Sequence, residues 1–255
     1  MSANLMSLAR SGGKFLKLFG DRKMMKTMPT ARDYVQDGLI AMWDGIENAG
    51  WGVHDPNATV WKNLISGQLD EYLLLRECSF VEDGLLLTDE HLSCAYGSIV
   101  KTYNEISIEI CCKNNPPTVN QCDLGTIDLH AGTGVVMFSN VLGKGIAANW
   151  WLKGISYEDF IVSKIGEKSQ ASLTLESGVY TSRYNGVVCG TKEITNPNIE
   201  GFVSIGALRN QVTKRSVWNG TIHRFAIYNR SLTAGELDTN YAIDKARFNL
   251  PDKTI

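Results

Sequence analysis

Residues 218–237 read W-N-G-T-I-H-R-F-A-I-Y-N-R-S-L-T-A-G-E-L, and they carry the strongest local structural signals of the chain. Its middle part, Thr221–Tyr228, is rich in β-branched and aromatic residues and therefore predicts a strand. The large apolar residues of this strand do not share one parity, because Ile222 and Phe225 are three positions apart. A β-bulge is therefore expected near His223–Arg224.

After a short polar turn the chain continues into a predicted C-terminal helix. Thr233 is suited to the N-cap position, and Glu236, three residues later, completes a capping box. Leu237, Tyr241 and Phe248 then lie near one face of the helix. We expect this helix to cover an end or an edge of a β-rich body.

A second strand is predicted at Asn104–Cys112, which reads N-E-I-S-I-E-I-C-C. Its three isoleucines alternate with polar residues, as a half-buried strand requires. Glu105 and Glu109 occupy the face opposite the isoleucines and are therefore expected to be solvated.

Turn signals between further strands define the fold class. Asn185-Gly186, between β-rich flanks, predicts a two-residue hairpin whose turn positions both need φ > 0. Short strands joined by such turns, with one closing helix, specify an antiparallel all-β sandwich. For 255 residues we predict a two-sheet jelly roll, since an immunoglobulin domain has only about 100. The other predicted strands are Thr126–His130, Val135–Phe138, Gln170–Glu176 and Phe202–Leu208.

Charge separates an N-terminal arm from the body. Residues 1–32 contain seven cations and one anion, whereas the whole chain carries −2. We therefore predict a basic arm at 1–36, a folded domain at 37–250 and a tail at 251–255. Docking of the arm onto a larger assembly is favoured over a plain disordered tail and over membrane-surface or nucleic-acid contact. The residues predicted to dock are Lys14, Phe15, Leu18, Phe19, Arg22 and Lys23.

The composition excludes several classes of protein. No apolar run approaches the ~18 residues that cross a bilayer, and cations interrupt the first twenty residues, so a membrane span and an export signal are not predicted. The six cysteines form no C-x-x-C pair and read as free thiols, with the adjacent Cys111 and Cys112 on opposite strand faces. The four histidines lack zinc-ligand spacing.

The opening stretch resembles the last strand and turn of laminin-G-like, concanavalin A-like domains, in which G-x-I-x-x-x-x-I-Y-N-R-x-L-[ST]-x-x-E recurs. This resemblance implies a concanavalin A-like jelly roll over roughly residues 37–240. The segments 48–59 and 240–248 are similar to laminin-G-like proteins of bacteriophages and gut-bacterial prophages. The further matching segments are D-G-L-I-A-M-W-D (37–44), W-K-N-L-I-S-G (61–67), R-Y-N-G-V (183–187) and F-V-S-I-G (202–206).

The sequence favours a binding protein over an enzyme. The β-glucanases of the same fold carry an E-x-D-x-x-E run that places two carboxylates on one face, and this chain has no such run. Carbohydrate recognition in such sandwiches combines aromatic platforms with polar loops. For each tryptophan, core packing is the alternative. The predicted ligand-binding residues are Trp51, His54, Asp55, Asn57, Asn149, Trp150 and Trp151.

The loop around Trp51 allows more than one interpretation. His54, Asp55 and Asn57 carry groups suited to hydrogen-bonding a sugar or to ligating calcium. Asp55-Pro56-Asn57 also reads as a self-capping turn, which we favour. No cofactor is therefore predicted, and the calcium interpretation has no further support in the sequence.

Together these features predict a non-catalytic binding or decoration protein. Its expected partners are virion capsid or tail proteins, held through residues 1–36, and glycans, without nucleic acid. The expected location is a virion assembled in a host cytoplasm, with the bacterial cytoplasm or cell surface as the alternative. A free-standing cellular or secreted lectin and a glycan-cleaving enzyme with non-standard carboxylates are the alternative functions.

Overall fold

The computed structural model describes residues 28–67, 69, 71–88, 94–115, 126–130, 135–141, 145–152, 155–157, 166–193, 199–205 and 219–253. The first half of the chain contains β1 (Leu39–Asp44), β2 (Val60–Lys62), β3 (Tyr72–Arg76), β4 (Ser79–Val81), β5 (Gly84–Leu87), β6 (Cys94–Tyr103), β7 (Ile106–Asn114) and β8 (Thr126–His130). The second half contains β9 (Val135–Val141), β10 (Gly145–Leu152), β11 (Ile155–Tyr157), β12 (Lys168–Glu176), β13 (Val179–Tyr184), β14 (Val187–Glu193), β15 (Ile199–Ile205), β16 (Gly220–Tyr228) and α1 (Ala234–Phe248).

The strands form two antiparallel sheets of eight strands each. The first sheet has the order β14-β13-β12-β7-β16-β5-β4, and β1 also pairs with β16. The second sheet has the order β11-β10-β9-β8-β15-β6-β3-β2. The predicted all-β jelly-roll sandwich with a short C-terminal helix is thus confirmed. In the described ranges, no helix has the length and apolar character needed to cross a membrane.

The main hydrophobic core lies between the two sheets. The three isoleucines predicted to point inward from β7 are fully buried there, as are the alternating apolar residues of β12. The second sheet contributes Trp61, Leu73, Ala95 and Ile205 to the same core. Inward-facing side chains of two sheets interdigitate in this way in a sandwich, so the period-two patterns of the sequence identify this face.

Three local predictions are confirmed in detail. The pairing of β16 with β7 shifts register between Ile222 and Arg224, which is the expected bulge. Asn185 and Gly186 link β13 to β14 with φ of 44° and 76°, as a primed two-residue hairpin turn requires. Thr233 and Glu236 form the capping box at the start of α1, with both reciprocal hydrogen bonds present.

Helix α1 packs on the face of the first sheet that points away from the second sheet. This corrects the expectation that the helix covers an end or an edge of the sandwich. Cys111 belongs to the small cluster under the helix, while Cys112 belongs to the core between the sheets, so the adjacent thiols do face opposite ways. The outer face of the first sheet is therefore a second buried layer.

The expectation for Glu109 is wrong because of this second layer. Glu109 is fully buried beneath α1, whereas Glu105, just before β7, is exposed. Alternation along a strand shows that two faces differ, but it does not show whether a distant segment later covers the polar face.

The residues just before β1 pack against the same outer face. A short 3-10 helix, Ala31–Asp33, follows Thr30, and the side chains of Ala31 and Tyr34 are buried. Ala31 and Tyr34 pack in a cluster with Leu39 of β1 and Leu237 of α1. Residues 30–36, which the charge-based division assigns to the arm, are therefore in contact with the folded body.

Candidate functional site

The loop that follows β1 is held in place by buried polar side chains. Glu47 accepts hydrogen bonds from the backbone N–H of Ala31 and of Gly52, each at 2.8 Å and each on a different carboxylate oxygen. Asn48 bonds both backbone groups of Asp55, at 2.7 and 2.8 Å. Because both anchoring side chains are buried, the loop between them has a defined shape rather than a free tip.

The four predicted residues of this loop lie close together. Trp51 is half-buried, and the guanidinium carbon of Arg32 lies 4.4 Å from its ring centroid. His54, Asp55 and Asn57 are exposed. The Asp55 carboxylate accepts a hydrogen bond from the Asn57 N–H at 2.9 Å, so the self-capping turn is present. The loop thus presents part of the Trp51 side chain beside several polar groups.

A second exposed surface on β2 and β3 adjoins the loop and was missed by the sequence analysis. Trp61 and Leu73 are register partners that point into the core, so the neighbouring residues Tyr72 and Leu74 point outward. Tyr72 is 48% exposed and Leu74 44%. Lys62, the register partner of Tyr72, lies beside the loop, since a Cβ added at Gly50 would be 3.8 Å from its Nζ.

The apolar run Y-L-L-L in β3 gives no indication in the sequence that one face of this strand is exposed. Five consecutive strand residues, four of them apolar, are typical of a strand that is buried on both faces. The outward position of Tyr72 follows only from the pairing of β2 with β3, which directs Trp61 and Leu73 into the core. We call the loop 50–57 together with Lys62, Tyr72 and Leu74 the edge surface.

The other predicted aromatic site lies elsewhere in the fold. Asn149, Trp150 and Trp151 belong to β10, where Trp150 pairs with Val136 and with Tyr157, but their side chains lie outside what the structure describes. Five strands separate β10 from β2 in the second sheet. At about 4.8 Å per strand this places the two candidate surfaces roughly 29 Å apart, so they do not form one site.

The predicted docking site and the calcium alternative both stay predictions. The docking residues Lys14, Phe15, Leu18, Phe19, Arg22 and Lys23 lie outside the described residues. Over the ranges that the structure describes, no group of three or more His, Cys, Asp or Glu side chains is arranged to hold a metal ion.

A buried cluster of carboxyl groups and arginines lies under α1. Arg224 contacts Glu109 at 3.1 Å and Asp244 at 2.6 Å, and all three side chains are fully buried. Asn240 donates a hydrogen bond to Glu109 and another to the hydroxyl of Tyr228. Burial raises the pKa of Glu109 to about 7, against the opposing effect of Arg224.

A second arginine extends this cluster toward the loop. Arg247 of α1 contacts Asp44 at 2.6 Å and Glu47 at 3.3 Å. Burial raises the pKa of Asp44, although Arg247 opposes that shift. A carboxyl group with a raised pKa is often a catalytic acid. These groups are nevertheless closed off from solvent, so they hold the fold together and do not reach a substrate.

The fold and the edge surface define an all-β sandwich with an exposed aromatic and polar surface. No protein-family model and no curated protein sequence matches the chain. Solved structures match in fold. Trypanosoma rangeli sialidase in complex with 2,3-difluorosialic acid aligns with 86% of this chain at a TM-score of 0.57 and 14% identity. The alignment covers 34% of the sialidase, so this chain spans about a third of its length.

Two further solved structures are similar in fold. Domain 4 of AbnA, a GH43 extracellular arabinanase from Geobacillus stearothermophilus in complex with arabinotriose, aligns over 98% of its own length and 80% of this chain, at a TM-score of 0.58 and 14% identity. The receptor binding domain of botulinum neurotoxin C/D mosaic serotype aligns over 52% of its length and 82% of this chain, at a TM-score of 0.58 and 11% identity. At these identities the similarity shows the β-sandwich fold alone.

Proposed function

We propose that this chain is a non-catalytic carbohydrate-binding protein that contacts a glycan through the edge surface. The observation that carries the proposal is the position of Tyr72, about half exposed, beside Lys62 and the buttressed loop 50–57. An aromatic ring offers a flat apolar platform for the face of a sugar, and the surrounding polar groups can pair with its hydroxyls. The arabinotriose complex of AbnA domain 4 supports a saccharide as the ligand of this fold.

The state of the carboxylates supports a binding function over glycan cleavage. A glycosidase needs two carboxyl groups that flank the bond to be cut. Glu109, whose pKa approaches that of a catalytic acid, is sealed beneath α1 and paired with Arg224. On the edge surface, Asp55 is engaged in its own turn. The enzyme alternative would require sugar release that disappears with a single carboxylate substitution.

The proposal extends to the attachment of the protein. Residues 1–36 would dock the body onto a larger assembly, with a virion capsid or tail as the partner, so that the edge surface faces outward. The excess of cations in residues 1–32 and the resemblance to phage laminin-G-like proteins support this part. Particle fractionation tests it: if the full-length protein stays soluble and a chain that begins at Met28 behaves in the same way, a free-standing lectin is the better description.

A glycan array followed by calorimetry tests the binding function. We expect the full-length protein to bind at least one oligosaccharide class, with arabinotriose and sialyllactose included as probes. Tyr72→Ala should weaken that binding about tenfold, because truncation of a central aromatic contact typically costs more than ~1 kcal/mol. Val188→Ala, at a residue of β14 that is equally exposed but lies on the first sheet, is the matched control. Absence of binding, or equal affinity of all three proteins, would contradict the proposal.

A further inference from the structure

The segment Thr30–Val35, which we call the N-terminal segment, is seated on the body by three long-range hydrogen bonds. The Ala31 N–H donates to Glu47 at 2.8 Å, and the Val35 N–H donates to the side chain of Asn240 at 3.0 Å. The Tyr34 hydroxyl donates to Asp244 at 2.6 Å. The segment is therefore fixed at both of its ends, with Arg32 between them.

Arg32 brings a charged side chain of this segment to the edge surface. Its side chain is exposed, and its guanidinium carbon lies 4.4 Å from the centroid of the Trp51 ring. Within the part of the chain that the structure describes, this guanidinium has no ion-pair or hydrogen-bond partner. The contact that the structure describes for this guanidinium is the cation–π contact with Trp51, which is weak at an exposed position.

The Trp51 ring that Arg32 covers is half-buried. Trp51 also packs against the buried cluster that contains Leu64, and Ile65 packs against the same cluster. A sugar that stacks on Trp51 needs a face of the indole, and the guanidinium occupies such a face. The sugar and Arg32 thus compete for the same apolar surface.

Glu47 links the position of the segment to the shape of the loop. One of its oxygens accepts the N–H of Ala31, next to Arg32, and the other accepts the N–H of Gly52, next to Trp51. Arg247 holds the same carboxylate from the side of α1. A movement of the N-terminal segment therefore removes one of the hydrogen bonds that hold the side chain anchoring the loop.

We propose that Arg32 is a displaceable cover of the Trp51 ring, through which the N-terminal segment regulates glycan binding at the edge surface. This inference rests on the proposed function. When Arg32 lies on the Trp51 ring, the ligand must break this contact and therefore binds more weakly. When a partner of the preceding arm draws Arg32 away, the ring face is free and the affinity rises.

The contact is tested first without any ligand. The full-length protein is labelled with 5-fluorotryptophan, and the ¹⁹F NMR signal of Trp51 is assigned by its loss in Trp51→Phe. We expect Arg32→Ala to shift this signal and to increase its response to exchange of H₂O for D₂O, because the ring becomes more exposed. Lys245→Ala removes a partly exposed cation of α1 that pairs with Asp252, and it serves as the control. An unchanged Trp51 signal in Arg32→Ala would show that Arg32 does not cover the Trp51 ring.

The regulatory effect is then measured by calorimetry with the strongest oligosaccharide of the glycan array. We expect Arg32→Ala to bind it about two- to fivefold more tightly than the wild type, which corresponds to the strength of an exposed cation–π contact. If the wild type binds the glycan and Arg32→Ala binds it equally or more weakly, the regulatory role of Arg32 is refuted and the proposed function stands. A shifted Trp51 signal with no glycan bound by either protein refutes the proposed function, and the regulation proposed here with it.

Discussion

Arg224 is the residue on which the second buried layer depends. Its guanidinium lies between Glu109 and Asp244 and stacks on the ring of Tyr34 with its central carbon 4.3 Å from the ring centroid. Burial of these charges is costly, and the cost is offset only while every charge has its partner. The cluster therefore makes the docking of α1 specific, since the helix has one position in which Asp244 meets Arg224.

Replacement of Arg224 by methionine tests this dependence. We expect Arg224→Met to lower the free energy of unfolding by about 3–5 kcal/mol, because it leaves Glu109 and Asp244 buried without a cation. Urea denaturation followed by far-UV circular dichroism gives this value. Arg183→Met is the control, since Arg183 pairs with the more exposed Asp238 and its loss should cost at most ~1 kcal/mol. Similar losses in the two variants would show that the buried cluster contributes no more than a surface ion pair.

Glu109 gives the fold a dependence on pH. Its pKa in the folded protein is about 7, above the ordinary value of 4.5, so the folded state binds this proton more tightly than the unfolded state does. The stability due to this proton is present in full below pH 4.5 and is lost as the pH rises through 7. Arg224, Asp244, Asn240 and Tyr228 are the charged and polar groups that face it.

Glu109→Gln cannot titrate, so it isolates this contribution. Between pH 5 and pH 8 we expect the wild type to lose up to about 3 kcal/mol of stability relative to Glu109→Gln. Urea denaturation of both proteins across this range measures the difference. Parallel stability curves would show that Glu109 keeps an ordinary pKa in the folded protein.

Among the secondary-structure elements, α1 begins where residues close together in the chain cap the helix. Thr233 and Glu236 exchange side-chain-to-backbone hydrogen bonds, and Arg230 holds Glu236 in addition at 2.6 Å. We expect Thr233→Ala to cost about 1 kcal/mol in thermal or urea unfolding, since the N–H of Glu236 loses its acceptor. Thr239→Ala, at an exposed site within the same helix, should stay within ~0.5 kcal/mol of the wild type. A larger loss at Thr239 than at Thr233 would contradict the role of the cap.

Elements with local causes could be predicted from the sequence. The isoleucine alternation of β7, the Asn185-Gly186 turn and the cap at Thr233 each depend on residues close together in the chain. The burial of Glu109 and the exposure of Tyr72 could not be predicted from the sequence, because they depend on which distant element covers a strand face. The loop residues of the candidate site were found from their composition, whereas the stacking of Arg32 on Trp51 joins positions 19 residues apart, without any periodic pattern.

For the whole molecule, the buried cluster connects the start of the folded body with its end. Tyr34 precedes β1 and Asp244 belongs to the closing helix, yet their side chains meet at 2.6 Å across 210 positions of sequence. Both pack on the same sheet, so the N-terminal segment and α1 form one layer. The first sheet therefore carries a third layer on its outer face, while Tyr72 and Leu74 of the second sheet stay exposed.

This arrangement predicts different outcomes for two truncations. A chain that begins at Met28 keeps Ala31 and Tyr34, so we expect it to melt within about 2 °C of the full-length protein. A chain that begins at Asp37 loses both buried side chains and leaves Glu47, Asn240 and Asp244 short of a donor. That loss should cost roughly 3 kcal/mol or more, or about 6–12 °C for a domain of this size. Thermal denaturation compares the three proteins. If the chain from Asp37 melts with the other two, the N-terminal segment is an appendage, and α1 alone makes the third layer.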